Sequence, residues 1–105
     1  MNKKMKAKWI RALRSGRYKQ TRGQLKCIYS DGPYYCCLGV LCNLVNSKGW
    51  DDQLFVSRDF ASSYKLPENV SKRLRVGFIA QQELVEMNDK GKSFDEIADW
   101  IKENL

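Results

Sequence analysis

The sequence predicts an α+β fold, with four to five short helices packed against a small antiparallel hairpin in a single domain. Three observations carry that expectation. Apolar residues recur at three- and four-residue spacing near the start, middle and end of the chain. Apolar and polar residues alternate from Leu25 to Ser30 and lead into turn chemistry. The length of 105 residues, 43% of them hydrophobic, is enough for one core and short for two.

Met5, Trp9, Ala12 and Leu13 set one face of a helix over residues 3–14, with lysines on the remaining positions. Ser15 to Tyr18 stop it, since Gly16 suits the left-handed residue after a helix C-terminus. Leu25, Cys27 and Tyr29 alternate with Lys26, Ile28 and Ser30 as a half-buried strand. Asp31-Gly32-Pro33 then turns the chain, and Tyr34 to Cys36 return as a second short strand. From Leu38 the period changes, because Leu38, Leu41, Cys42 and Val45 share one helical face, and Asn46, Ser47 and Gly49 end that helix.

Residues Trp50 to Lys65 read as irregular, with a short extended piece at Leu54 to Val56. A helix restarts at Pro67, a residue favoured in a first turn, and Gly77 is expected to close it. "QQELVEMND" is helix-compatible and Gly91 supplies its stop. Ser93 and Glu96 have the spacing of a capping box, and Phe94, Ile97, Ala98 and Ile101 form the apolar face of a last helix flanked by Trp100.

The formal charge of +7 is unevenly distributed. Residues 1–26 carry ten Lys or Arg and no acid, whereas residues 81–105 carry seven acids and three bases. Such polarity serves an anionic partner at one end, or lets the two ends of the chain attract each other. No segment approaches the roughly 20 apolar residues that span a bilayer, and the basic N-terminus has no apolar stretch after it. A cytoplasmic protein without a membrane partner is expected, with its thiols reduced.

The four cysteines lack C-x-x-C spacing, and the chain has no histidine to complete a mixed zinc site or to act as base for a cysteine nucleophile. No metal and no cofactor is expected. Cys42 reads as a small buried hydrophobe; Cys36 or Cys37, at the start of a helix, is the thiol that a backbone dipole could activate. Glu83, Glu86 and Asp89, with Asp95, Glu96 and Asp99, read as solvated faces. Glycine-rich phosphate loops are absent. A non-enzymatic role follows as the expectation.

The segment "RALRSGRYKQTRGQLK" holds the candidate binding residues Arg11, Arg14, Arg17, Tyr18, Gln20 and Arg22. Guanidinium forks bind phosphate bidentately, an aromatic among them offers a face for a base, and Gln20 could read a base edge. The competing expectation is that these arginines pair with the acidic tail and that Tyr18 packs inward. The "EIA" stretch near the end resembles the opening of a helix-turn-helix, but the sequence stops at Leu105, so groove readout by that motif is not expected.

"ALRSGRYKQ", "YCCLGVLC", "LPENV" and "LVEMNDKGKSFDEIADWI" together cover about half of the sequence. In that order they resemble a family of small, largely uncharacterised accessory proteins encoded by tailed bacteriophages. The resemblance implies a setting, the cytoplasm of an infected bacterial host cell, and a stoichiometric binder more than a catalyst. Three functions are then expected in turn: a counter-defence protein that sequesters a nucleotide signal, a nucleic-acid-binding module that also uses Lys3 to Lys8, and an inhibitor that docks its acidic C-terminal helix on a host protein. A homo-oligomer fits any of them.

Overall fold

The structure is a computed structural model that describes residues 1–105. Helix α1 (Lys3–Arg14) starts at Asn2, whose side chain accepts a hydrogen bond from the Met5 amide, and buries Trp9 and Leu13. Gly16 is left-handed just beyond it, as its spacing predicts. Strands β1 (Lys26–Tyr29) and β2 (Gly32–Tyr35) pair antiparallel with Tyr29 opposite Gly32. The turn is therefore Ser30-Asp31, one residue earlier than expected: Gly32, at φ 123°, opens the second strand instead of sitting in the turn.

Helix α2 (Cys37–Val45) lies at the centre of the molecule. Every residue from Cys37 to Cys42 is buried, so the helix is enclosed on all sides and does not present the single apolar face expected from its period. Its seat explains the lone glycine of "CCLGVLC". A Cβ on Gly39 would stand 1.8 Å from the carbonyl oxygen of Leu25, so only glycine lets the helix approach the chain entering β1 this closely. The same carbonyl accepts from the amide of Cys36 at 3.1 Å. Trp9 donates its indole N–H to the carbonyl of Cys37 at 2.9 Å and fixes α1 on α2.

The stretch read as irregular is a three-stranded antiparallel sheet of β3 (Trp50–Asp51), β4 (Leu54–Ser57) and β5 (Phe60–Ser62), with the extended piece expected at Leu54 to Val56 lying in β4. Its two hairpins close through Asp52 and Arg58, both left-handed at φ 56°, where sequence signals favour glycine. Phe55 is fully buried and meets the Trp50 ring edge-on at 5.1 Å. Helix α3 (Glu68–Leu74) follows Pro67 and ends on Arg75, left-handed at φ 59°. Gly77 does not close it: it is extended and opens α4 (Phe78–Asp89).

Helix α5 (Phe94–Asn104) begins with the anticipated capping box of Ser93 and Glu96 and buries Phe94, Ile97, Ala98 and Ile101. The fold is thus α+β, with five helices, the expected hairpin and an additional small sheet. Buried apolar side chains from all of the helices form one continuous core. No helix is long and apolar enough to cross a membrane.

Candidate anion-binding cleft

With a helical advance of about 100° per residue, α1 presents three flanks. One carries Met5, Trp9, Ala12 and Leu13 into the core. A second faces α5, where Arg14 donates from Nη2 to Asp99 Oδ1 at 2.6 Å and lies 3.6 Å from Asp95. Lys6 Nζ also donates on this flank, to the carbonyl of Lys102 at 3.1 Å, near the C-terminal end of α5 where a cation is favoured. The Asp99 hydrogen bond raises the pKa of Arg14 above its ordinary value.

The third flank faces the end of α3 and holds Lys4, Lys8 and Arg11 at i, i+4 and i+7. It is joined to α3 by the Asn2 amide, which donates to the carbonyl of Leu74 at 3.3 Å. Between the two helices lies an open cleft of about 580 Å³. Met5, Ala7 and Leu74 make its floor; Lys4, Lys8, Arg11 and, from α3, Arg73 line its rim. None of these four cations takes part in any of the molecule's six ion pairs. The volume lies within the range of small-ligand sites.

The six candidate residues of the basic segment are not gathered into one site. Arg11 reaches the α1–α3 cleft, Arg14 is taken by Asp95 and Asp99, and Arg17 is exposed beyond the helix end. Tyr18 packs inward, as the competing expectation had it. Its ring is half-buried, edge-on to Tyr35 at 5.2 Å, and its hydroxyl accepts from Asn43 Nδ2 at 2.9 Å. Gln20 is spent internally: Nε2 donates to Asn88 Oδ1 and to the carbonyl of Lys92, each at 2.9 Å. Arg22 lies against Gly91, where an added Cβ would stand 2.9 Å from Nη2.

Gln20 meets a buried polar hub. Asn88, fully enclosed, accepts from the Cys37 amide at 3.1 Å and donates to the carbonyl of Thr21 at 2.8 Å, so it ties the basic loop, α2 and α4 together. The cysteines at the start of α2 belong to this interior. Cys36 is the helix cap, its Sγ accepting from the Gly39 amide, and burial pushes its thiol up to about 11. Burial also raises Cys37 and Cys42, which leaves no activated thiol at the helix start. Five of the acids read as solvated are partnered: Glu86 with Lys90 at 2.6 Å, Glu96 with Lys92 at 3.5 Å, Asp95 and Asp99 with Arg14, and Asp89 with the Gly23 amide, which donates to Oδ1 at 3.0 Å.

The residue that sequence reading missed is Arg73. Lys4 and Lys8 carry the helical spacing that places them beside Arg11, but nothing local links them to a side chain on α3.

Fold and cleft together define a small α+β protein whose basic first helix forms one wall of an open, cation-rimmed cleft. Residues 1–72 match the family described as Domain of unknown function (DUF8296), and the chain belongs to that family. The match includes Lys4, Lys8 and Arg11 and stops one residue before Arg73. Its description assigns no catalytic chemistry. Comparison with curated proteins and with solved structures gave no match.

Proposed function

We propose that this protein is a stoichiometric binder of a phosphate-bearing ligand, of the nucleotide or nucleic-acid class, and that the ligand sits in the cleft between α1 and α3. The observation that carries the reading is the set of four cations, Lys4, Lys8, Arg11 and Arg73, that line one cleft and enter no ion pair. Lysine ammonium groups and guanidinium forks over an apolar floor suit phosphate with an attached sugar and base. The raised thiol of Cys36 and the lack of histidine favour binding over catalysis.

The resemblance to tailed-phage accessory proteins gives this binder its setting. It would act in the cytoplasm of an infected bacterium and counter host defence by sequestering its ligand. The ligand sits in the α1–α3 cleft and not on the loop of Arg17 to Arg22, and Arg11 is the one residue of the basic segment that meets it.

Titration of isotopically labelled protein with inorganic tripolyphosphate, followed through backbone amide resonances, tests the location. Saturable shifts are expected along Lys4 to Arg11 and at Arg73 to Arg75. Shifts confined to Arg17 through Arg22, or no saturable shifts, would contradict the reading.

A further inference from the structure

Resting on the cleft reading above, we infer that the occupant is a single nucleic-acid strand, held across about three consecutive phosphates, and not a lone nucleotide or a duplex. Lys4, Lys8 and Arg11 form a row and not a point. At a rise of 1.5 Å per residue their backbone positions follow one another at about 6 and 4.5 Å, roughly 10 Å in all. A terminal phosphate cluster is better served by donors that converge, above all the free amides of a helix start. Here Asn2 accepts the Met5 amide with its side chain and donates its own amide to Leu74, so two of the amides at the start of α1 are already engaged.

The opposite wall contributes Arg73, so a chain laid along α1 passes between a ladder of cations and a guanidinium fork. Positive charge continues at the end of the cleft where Asn2 meets Leu74, at Lys3 on α1 and at Arg75 after α3. Both are exposed and neither is ion-paired. That continuation suits a ligand longer than the cleft itself.

The floor separates strand from duplex. Met5 and Ala7 offer apolar surface beside the buried Leu74, which unpaired bases and sugars can cover and which bases stacked inside a duplex cannot reach. The same floor predicts weak sequence preference, since the one uncharged polar side chain beside it, that of Asn2, has its Oδ1 engaged as the helix cap.

Fluorescence anisotropy with labelled oligothymidylates, from the mononucleotide to the dodecamer, tests this across a salt series. Affinity is expected to climb steeply up to about the tetramer and then flatten, with a log–log salt slope of about −2 for roughly three strand phosphates. Lys8→Ala is expected to make that slope shallower by about 0.7. The double variant Lys8→Glu/Arg11→Glu is expected to weaken the dodecamer by about tenfold or more, with an unchanged circular dichroism spectrum.

Equal affinity for the mononucleotide and the dodecamer would overturn the strand inference while leaving the cleft reading intact. So would tighter binding of the matching duplex, or displacement of the strand by polyglutamate at equal charge. Strand binding unchanged by Lys8→Glu/Arg11→Glu would overturn the inference and the cleft reading together.

Discussion

On the flank of α1 that faces α5, Arg14 reaches Asp99 at 2.6 Å and Lys6 donates to the Lys102 carbonyl at 3.1 Å. On the flank that faces α3, Lys4, Lys8 and Arg11 carry the same charge and meet a fourth cation, Arg73, across a cleft. The helix is one and its side chains are of one kind. What differs is the neighbour, for α5 brings acids to its first turns and the end of α3 brings arginine. Net charge therefore does not locate available charge. Like charges at three- and four-residue spacing each cost a few tenths of a kcal/mol in a helix, so the α3 flank keeps a repulsion that an anion would relieve.

The contrast disappears altogether if the platform beneath α1 gives way. Gly39→Ala pushes a methyl group into the Leu25 carbonyl, and because Trp9 anchors α1 on Cys37, displacement of α2 displaces both flanks. A loss on the order of 3 kcal/mol or more in urea unfolding is expected, or failure to fold. Asn88→Ala comes next, at about 2–3 kcal/mol by the same measurement, since it strands the Cys37 amide and the Thr21 carbonyl inside the protein.

Ser93→Ala tests the element that carries the acids to Arg14. Loss of the cap is expected to cost about 1 kcal/mol. The Ser93 amide and hydroxyl hold the Glu96 carboxyl below its ordinary range. A carboxyl lowered in the folded state stabilises fully above its unfolded value and loses that contribution as pH falls through the folded one. The difference between Ser93→Ala and the parent protein should therefore shrink in acid unfolding series.

The smallest effect is expected from Arg14→Ala. Its pair with Asp95 and Asp99 is exposed, so the thermal midpoint should fall slightly at low salt and not at high salt. A large fall would mean that this flank supports the fold and does not merely neutralise charge.

Legibility in the sequence followed locality. The capping box of α5, the stop at Gly16 and the face of α1 depend on residues within a few positions of one another, and the structure places them as their spacing indicates. Of the β3–β5 sheet only the extended piece at Leu54 to Val56 was legible, because its turns use Asp52 and Arg58 in the left-handed region with no glycine to mark them. Arg75 hid the end of α3 in the same way, and Gly77 drew attention to a boundary it does not make. The enclosure of α2 was masked by its short period pattern; only the surrounding elements decide whether two or four sides are covered.

For the cleft the limit was distance along the chain. Arg11 was visible as a candidate, but the partners that distinguish it from Arg14 lie far away in sequence: Arg73 on one side, Asp95 and Asp99 on the other. Tyr18 and Gln20 were attractive for chemistry they do not offer, because Asn43, Tyr35 and Asn88 occupy them.

The two flanks can be weighed against each other in a single anisotropy series with a labelled oligothymidylate dodecamer at low salt. Removal of two cations from the α3 flank, Lys8→Ala/Arg11→Ala, should weaken binding by about tenfold or more. Removal of two from the α5 flank, Lys6→Ala/Arg14→Ala, should change it by less than about twofold, since those charges are already engaged. Equal losses from the two double variants would contradict the account, because binding would then follow total charge and not the cleft.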